Sequence, residues 1–458
     1  MTVAIRRREL LLASAGSALL AACATPGASD GTPPIVFVPG NGDTAALWMP
    51  TIWRFESNGW PRDRLFAIDM PYPLARDDDG KEQPGRSSSA EHRAFLAAEV
   101  RKVLAATGAK KVVLVGNSRG GYAIRNFIAN GDGAAVVSHA ILGGVPNHGV
   151  YALPARNPGS EFNGAGFFLT ALNKPGPDGN EVTPGVAWLT IRSDVNDKYA
   201  QPDGALLGAR GMATGVSFDG PALKGATNIV IAGVDHRETS FSPQAFAATY
   251  RFITGRAPAT LAIVPEDRVV LDGIVSGLGL DNRQGDFATN LPLAGASVEV
   301  YVVDAATGER RGSAVHTKTI GADGHWGPFT GDPAARYEFG IAAPGYATTH
   351  VYRSPFPRSS RYVSLHPERI AAADGEAKAI VTLTRPRGYF GVGRDRMAFD
   401  GTSPPPGVPA GVATVSTSKV KLADATSRPI VGEFNDERIV GRVWSAADNQ
   451  VTVLELTY

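Results

Sequence analysis

A serine flanked by glycines carries the clearest chemical signal in this sequence. Gly116, Ser118 and Gly120 form a Gly-x-Ser-x-Gly pattern, with an apolar, strand-like run before it at residues 112–115 and a helix-like segment after it at residues 121–129. This context is typical of a nucleophile elbow, a tight strand-to-helix turn that exposes the serine hydroxyl. The dinucleotide-binding and Walker patterns of phosphate loops are both absent from the sequence. We therefore expect Ser118 to act as a nucleophile.

A serine nucleophile needs a base, and the base needs a carboxylate to orient it. After an elbow of this kind the chain order is serine, acid, histidine. Three histidines follow in the same half of the chain, His139, His148 and His236. His236 comes after the apolar run at residues 228–232 and before the last helix-like segment, which is the expected place of the base. His139 is expected to be structural, and His148 comes too early to be the base, although its loop is expected near the site.

The acid is expected in the loop after the apolar run at residues 186–191. This loop contains Asp194 and Asp197, and both qualify by position. Asp235 lies directly beside His236, and we expect it to be a solvated loop residue.

Attack on a carbonyl also requires two backbone N–H groups where the negative charge develops. One is expected from Arg119, directly after the nucleophile. The other is expected from the Pro-Gly-Asn-Gly turn at residues 39–42, with Asn41 as the donor. The alternative is that this turn is an ordinary glycine-rich connection.

The elements that must position these residues alternate between strand and helix. Short apolar runs, helix-like segments and glycine-rich turns follow each other from residue 33 to residue 257, which predicts an α/β domain with a mostly parallel sheet. The strands are expected at residues 34–38, 111–115, 140–142, 186–191 and 228–232, and the helices at residues 90–107, 121–129 and 243–253.

Helical periodicity disappears after residue 258, and short β-rich segments separated by glycine, proline and aspartate follow. This pattern predicts an all-β barrel or sandwich, divided into a transthyretin-like domain at residues 258–367 and a C-terminal β-subdomain at residues 368–458. The joint at residues 255–258 is short, so the two halves should share an interface. The aromatic residues Tyr346, Tyr352 and Phe356 are expected either to offer apolar surface to a bulky substrate or to form the core of the sheet.

The whole chain has 458 residues, 43% hydrophobic and 19% charged, and a net charge of +1. This composition is globular, long enough for two or three domains, and gives no indication of a nucleic-acid partner. Residues 1–23 are predicted to be an export signal, because three arginines at positions 6–8 precede a short apolar stretch, as in a twin-arginine signal. The stretch ends Leu-Ala-Ala-Cys at Cys23, the single cysteine.

The Leu-Ala-Ala-Cys sequence resembles a bacterial lipobox, in which the cysteine is acylated and becomes the mature N-terminus. Residues 24–32 would then be a tether. We expect an exported lipoprotein, anchored to a membrane through Cys23 and facing the periplasm or the cell surface. No aspartate follows Cys23 directly, which favours the outer membrane.

The first half resembles the serine lipases and esterases of the α/β-hydrolase fold, in particular small bacterial lipases and the fungal lipase-B-like enzymes. The resemblance rests on residues 142–149, 167–173 and 197–202. In those enzymes the acid motif is an aspartate ahead of an apolar pair, often followed by Gln-Pro. The resemblance therefore favours Asp197 over Asp194 as the acid.

The junction and the second half are similar to a two-domain archaeal lipase whose C-terminal β-barrel helps to engage lipid-like substrate. The similar segments are residues 241–246, 263–267, 337–339 and 354–356. That lipase has an aspartate where this chain has Gly143-Gly144, so the acid must come from the later loop. Most of these lipases also have histidines where this chain has Pro39 and Asn117.

Together these features predict a serine carboxylic-ester hydrolase that works through an acyl-enzyme on Ser118, His236 and Asp197, on an ester or lipid substrate. No metal and no organic cofactor are expected. An amidase with the same triad is one alternative. A non-catalytic surface lipoprotein that binds envelope components on a hydrolase scaffold is the other.

Overall fold

The structure, a computed structural model, describes residues 31–207, 209–281 and 285–458. The predicted export signal, Cys23 and the tether up to residue 30 lie outside the described residues. From residue 33 to residue 458 the chain forms one compact unit. Among the described helices, none has both the length and the apolar character needed to span a membrane.

Residues 33–257 alternate between strands and helices, as predicted. In chain order the elements are β1 (Ile35–Val38), α1 (Met49–Ser57), β2 (Leu65–Ala67), α2 (Ser89–Thr107), β3 (Val112–Asn117), α3 (Arg119–Asn130), α4 (Gly133–Val136), β4 (Val137–Gly143), α5 (Phe167–Leu172), β5 (Ala187–Arg192), β6 (Thr227–Val230), α6 (Glu238–Phe241) and α7 (Pro243–Thr254).

The six strands form one parallel sheet in the order β2-β1-β3-β4-β5-β6. Strands β1 and β3 are buried along their whole length, because helices cover both faces of the sheet. One face packs against α2 and α3, and the other packs against α1 and α7. The predicted α/β fold class is therefore confirmed for this half.

Four elements of the first half were not predicted from the sequence, namely α1, β2, α4 and α6. Helix α1 has only nine residues, and it buries every residue from Met49 to Phe55, including the polar Thr51 and Arg54. Strand β2 has only three residues at the edge of the sheet. Helices α4 and α6 have four residues each, so none of these elements offers a long periodic segment to the sequence analysis.

The β region, residues 258–458, contains only β-strands and two short 3₁₀ turns in its described part. The strands are β7 (Val269–Leu271), β8 (Ser276–Asp281), β9 (Gly285–Pro292), β10 (Ser297–Val303), β11 (His316–Thr319), β12 (Phe329–Gly331), β13 (Arg336–Ala342), β14 (Thr348–Arg353), β15 (Ala379–Thr384), β16 (Met397–Phe399), β17 (Thr417–Leu422), β18 (Pro429–Phe434), β19 (Glu437–Arg442) and β20 (Gln450–Glu455).

Most strand pairs of the β region are antiparallel, as predicted for an all-β region. Its largest sheet in the described residues has the order β11-β10-β13-β14-β20-β15-β17. The last strand, β20, pairs in parallel with both β14 and β15. This sheet therefore joins strands from both sides of the boundary predicted at residues 367 and 368.

The two halves share a hydrophobic core, in agreement with the interface expected from the short joint. Met49 and Trp53 of α1 belong to the same buried cluster as Val269, Leu271 and Phe356 of the β region. The indole N–H of Trp53 also donates a hydrogen bond to the carbonyl oxygen of Ser359, at 2.9 Å. Helix α1 is thus packed between the parallel sheet and the β region.

The three aromatic residues considered as a substrate surface are core residues instead. Tyr346, Tyr352 and Phe356 are all buried within the β region. The interpretation that they offer apolar surface to a substrate was wrong. The sequence pattern of this region does not indicate which side of each strand faces solvent, because much of the sheet is covered on both faces.

Candidate active site

Ser118 lies at the tight turn between β3 and α3. Its backbone has φ 51° and ψ −123°, a positive φ that a residue with a side chain rarely adopts. Such a conformation costs about 1–3 kcal/mol and persists only where the surroundings enforce it. The described geometry is therefore that of a strained strand-to-helix turn with the serine at its apex.

The glycines on either side of Ser118 are required by close backbone approach. A Cβ atom on Gly120 would lie 2.5 Å from the carbonyl oxygen of Pro39, and one on Gly116 would lie 2.9 Å from the backbone nitrogen of Gly121. Both distances are shorter than real Cβ contacts allow. The Gly-x-Ser-x-Gly spacing thus has a steric cause, since a larger residue at position 120 would collide with the end of β1 and one at position 116 with the start of α3.

His236 and Asp197 meet although they are 39 residues apart. The Nδ1 atom of His236 donates to both carboxylate oxygens of Asp197, at 2.9 and 3.0 Å. A carboxylate offers only acceptors, so this contact holds the proton on Nδ1 and leaves the Nε2 lone pair as a proton acceptor. Nε2 is buried and has no hydrogen-bond partner among the described residues.

Ser118 and His236 line the same cavity, but no hydrogen bond joins them in the described structure. A buried imidazole nitrogen without a hydrogen-bond partner, in the same cavity as a serine, is the arrangement expected of a general base. The missing hydrogen bond to Ser118 agrees with this role, because catalytic hydrogen bonds are often long until substrate binds.

The other two acids near the histidine have different surroundings. Asp194 accepts hydrogen bonds from the backbone N–H groups of Asn196 (3.0 Å) and Gly233 (2.9 Å) and does not contact His236. Burial opposes ionisation of Asp194, but these hydrogen bonds outweigh it and lower its pKa. Asp235 is fully buried. The expectation that it is solvated was therefore wrong, because arginines of the β region cover it.

The turn at residues 39–42 lies directly against Ser118. A Cβ atom on Gly40 would be 3.1 Å from the Cβ atom of Ser118. The backbone N–H of Gly42 donates to Pro73, at 3.2 Å, and the side-chain oxygen of Asn41 accepts from the N–H of Ala75, at 2.7 Å. The turn is thus fixed to the segment at residues 73–75, and its Asn41 lines the same cavity as Ser118.

The side chain of Arg119, directly after Ser118, also makes several hydrogen bonds near the site. Its guanidinium group is fully buried, and it donates to Glu161 (2.7 Å), to the carbonyl oxygen of Pro73 (3.0 Å) and to Ser87 (2.9 Å). Pro73 is also the residue that anchors Gly42. Arg119, the first residue of α3, therefore links the turn at Ser118 to Pro73, and Pro73 also holds the turn at residues 39–42. At a helix start its N–H has no intrahelical acceptor.

Asn117, directly before Ser118, connects three parts of the site. Its side-chain amide donates to the carbonyl oxygens of Gly143 (3.1 Å) and His236 (3.4 Å) and to the hydroxyl of Ser240 (2.7 Å). Sequence reasoning noted Asn117 only as a departure. Its role as a link between the nucleophile strand and the histidine loop follows from packing, which local spacing does not encode.

The cavity beside Ser118 has a volume of about 180 Å³ and a mostly apolar and aromatic wall. It is lined by Asn41, Asp43, Ser118, Val150, Tyr151, Ser160, Phe162, Tyr199, Leu207, His236, Arg237 and Tyr389. Most of these residues belong to the first half of the chain, but Tyr389 belongs to the β region. The β region thus supplies part of the wall, through a residue that sequence reasoning missed.

Lys198, directly after Asp197, connects the acid loop to the β region. Its ammonium group donates to the carbonyl oxygen of Thr414 at 2.9 Å and lies 4.0 Å from the centre of the Tyr389 ring and 4.9 Å from that of Tyr199. Burial, helped by the nearby charge of Arg237, lowers the pKa of Lys198 to about 8. The ring of Tyr199 in turn packs edge-on against His236, at 4.6 Å between centres.

The structure brings Ser118, His236, Asp197, Asn41 and Arg119 to one place, while Asp194 stays outside the contact with His236. The other two histidines lie apart from this contact. His148 contacts Glu181 at 3.2 Å, and His139 lies on β4 beside Ser138. The site residues missed from the sequence are Asn117, Tyr199, Arg237, Arg385 and Tyr389. The cluster of arginines at residues 385–396 was a visible signal in a nearly neutral chain, and it was not used.

Two family models match the chain. Residues 33–177 match the alpha/beta hydrolase fold, and residues 267–370 match the lipase C-terminal domain. The first range contains the elbow and the turn at residues 39–42, and the second lies within the β region. The chain therefore combines these two kinds of domain, in the order expected from the sequence.

Several solved structures resemble parts of the chain at low similarity. Lipase B of Aspergillus fumigatus is 16% identical, with 52% of this chain and 56% of that chain covered and a TM-score of 0.35. Lipase BlEst2 of Bacillus licheniformis in its propeptide form is also 16% identical, with 68% and 89% covered and a TM-score of 0.35. A carboxylesterase of Bacillus subtilis is 16% identical, with 50% and 85% covered and a TM-score of 0.28. At such scores the assignment of the two domains rests on the family models.

Proposed function

The chain is a lipase- or esterase-like α/β hydrolase with a lipase C-terminal domain, and we propose that it hydrolyses carboxylic esters through an acyl-enzyme on Ser118. One observation carries this proposal. His236 is held by Asp197 through Nδ1 while its buried Nε2 has no partner among the described residues, beside a serine on a strained turn. This is the arrangement that a serine and a general base require.

The proposed reaction begins when the Ser118 hydroxyl oxygen attacks the ester carbonyl carbon and its proton passes to Nε2 of His236. The N–H groups of Asn41 and Arg119 stabilise the negative oxygen that develops. The C–O bond to the alcohol then breaks, and the imidazolium returns its proton to the leaving alkoxide. Water attacks the acyl-enzyme by the same route, and the acid leaves. Asp197 keeps its charge and stabilises the imidazolium throughout.

The size of the cavity favours a small ester. Sites for drug-sized ligands have volumes of about 300–1,000 Å³, whereas the cavity beside Ser118 has about 180 Å³. Its surface is mostly apolar, and its two charged lining residues, Asp43 and Arg237, are paired with each other, which suits a short uncharged acyl or alcohol group. We therefore propose short-chain esters as the preferred substrates.

The test compares wild type with Ser118→Ala on nitrophenyl acetate, butyrate and palmitate, together with labelling by a fluorophosphonate probe. We expect acetate or butyrate to be the best substrate, and Ser118→Ala to lose activity by about 1,000-fold or more. Ser160→Ala is the matched control, because Ser160 lines the same cavity and should keep most of the activity.

The outcomes also separate the alternatives. Faster turnover of a nitroanilide than of any ester would identify an amidase. No labelling and no turnover by the wild-type protein would favour a binding protein on a hydrolase scaffold. Labelling of a residue other than Ser118 would contradict the proposed nucleophile.

We further propose that the chain is an exported lipoprotein acylated at Cys23. The support is the lipobox-like Leu-Ala-Ala-Cys sequence and the absence of any other cysteine from the sequence. Mass spectrometry of membrane-extracted protein should find a lipid-modified N-terminal cysteine. Soluble protein that begins at another residue would contradict the proposal.

A further inference from the structure

Asp235 shapes the backbone on both sides of His236. Its Oδ1 atom accepts hydrogen bonds from the N–H groups of Arg237 and Glu238, both at 2.9 Å, and its own N–H donates to the Glu238 carboxylate at 2.6 Å. These bonds close a tight turn that contains His236. The direction of the imidazole therefore depends on where the Asp235 carboxylate is held.

The second oxygen of Asp235 is held by the β region, through the loop at residues 385–395 between β15 and β16. Arg385 donates to Oδ2 at 2.8 Å, and the backbone N–H of Tyr389 donates to it at 2.7 Å. Arg394 approaches the same atom at 3.4 Å. Asp235 has no exposed surface, so these contacts replace its hydration completely.

The same two arginines also bind Glu238. Arg385 contacts its carboxylate at 2.5 Å and Arg394 at 3.0 Å. Burial opposes ionisation of Asp235, but the arginine charges and the hydrogen bonds outweigh it and lower its pKa. Burial, together with the charge of Asp235, raises the pKa of Glu238. Asp235 is therefore the carboxylate that stays ionised most readily, and it needs both arginines as partners.

We propose that Arg385 and Arg394 are positioning residues that hold His236 in place through Asp235, so that the β region completes the catalytic site. The proposal rests on the ester-hydrolase function, because it requires His236 to be the base. A contact made only to stabilise the fold would not require the two arginines to converge on the residue next to the base. Here three groups of one loop meet on a single oxygen of Asp235.

The network also determines the charge around His236. A change in this charge should shift the pH dependence of activity, whereas the loss of a merely structural contact should not. The charged and titratable groups that face His236 are Asp197, Lys198 and Tyr199 of the acid loop, Asp43 beside the turn at residues 39–42, Asp235, Arg237 and Glu238 of its own loop, and Arg385, Tyr389 and Arg394 of the β region.

Removing one charge from this network should move the acid limb of the pH profile of kcat/KM, which reports protonation of the base. Arg394→Gln leaves excess negative charge near His236 and should move the limb to higher pH. Asp235→Asn leaves excess positive charge and should move it to lower pH. The double variant should return it towards wild type.

The experiment measures kcat, KM and the pH profile on nitrophenyl butyrate, with active sites counted by fluorophosphonate titration. Each single variant should lose about 10-fold or more in kcat per active site, with KM nearly unchanged, because misorientation affects the chemical step more than binding. We expect the two limbs to move in opposite directions, each by about 0.5 pH unit or more. Arg385→Lys keeps the charge, so its acid limb should stay close to the wild-type position.

Glu338→Gln is the matched control, because Glu338 is also a fully buried carboxylate paired with an arginine, Arg310, within the β region. It should change stability without moving the pH limb. Arg394 is 17% exposed, so Arg394→Gln is the variant with the least risk to folding, and its profile alone is decisive. Wild-type kcat per active site and an unmoved limb in Arg394→Gln would overturn the proposal, while ester hydrolysis by the wild-type protein would still support the proposed function.

Discussion

Asp197 constrains His236 more strictly than a single hydrogen bond would. Both of its oxygens lie within 3.0 Å of Nδ1, and both residues are almost fully buried. In this environment the carboxylate fixes both the tautomer and the direction of the ring. Asp194, three residues earlier, is occupied instead by the backbone of its own loop and of Gly233.

Replacing each of the two acids by asparagine therefore provides a test at the residue scale. Asp197→Asn should reduce kcat/KM on a short nitrophenyl ester by about 1,000-fold or more, because an amide favours the wrong histidine tautomer. Asp194→Asn should lose less than about 10-fold, since it weakens only loop hydrogen bonds of about 1 kcal/mol each. The reverse ranking would assign the orienting role to Asp194.

At the scale of elements, the insertion between β4 and β5 contacts α3 through a buried hydrogen bond between a guanidinium group and a carboxyl group. Glu161 of this insertion contacts Arg119 of α3 at 2.7 Å, and neither side chain has appreciable exposure. Burial raises the pKa of Glu161 to about 7, although the positive charge of Arg119 acts in the opposite direction. The insertion also provides Tyr151 and Phe162 to the wall of the cavity, so its docking affects the site.

This pKa predicts a dependence of stability on pH. A carboxyl whose pKa is higher in the folded chain than in the unfolded chain stabilises the fold below its unfolded pKa, and this contribution is lost as the pH rises through its folded pKa. Between pH 5 and pH 8 the free energy of unfolding of the wild type should fall by about 2–3 kcal/mol relative to Glu161→Gln. Urea unfolding of both proteins across this range provides the measurement, and parallel pH curves would contradict the assignment.

At the scale of the whole molecule, the β region is part of the hydrolase core rather than an appendage. Trp53 and Met49 pack into its cluster, and Asn290 of β9 donates to the carbonyl oxygens of Met70 (2.9 Å) and Asp43 (3.2 Å), beside the turn at residues 39–42. Arg385 covers Asp235 from the same side. The segment next to the turn at residues 39–42 and the loop that contains His236 are therefore both supported by contacts from beyond residue 257.

Truncation after Ala257 should abolish activity on short and long esters alike. It would expose the large apolar surface of α1 and leave the Asp235 carboxylate without its partners. Within the full chain, Trp53→Ala should lower the free energy of unfolding by about 3–5 kcal/mol, measured by chemical denaturation. A soluble truncated chain that unfolds cooperatively and hydrolyses nitrophenyl acetate at the wild-type rate would contradict this view.

Local patterns located most of the strands and the longer helices of the first half, and they selected the residues that meet in the candidate site. The Gly-x-Ser-x-Gly spacing is tied to close contacts with the end of β1 and the start of α3. The placement of Ser118, Asp197 and His236 follows from apolar runs that end in loops at one edge of a parallel sheet. Such features depend on residues close in sequence, whose period and turn chemistry are readable. The short helix that lies between the two halves, α1, was missed.

The surroundings of the site depended instead on contacts between residues far apart in the chain. Asp235 is buried because Arg385, 150 residues later, packs on it, and Tyr389 reaches the cavity for the same reason. The contact of His236 with Asp197 rather than Asp194 depends on how one loop closes over another. Burial and ion pairing arise when separate elements pack together. The partner of each buried charged group is therefore determined by the tertiary fold rather than by the local sequence.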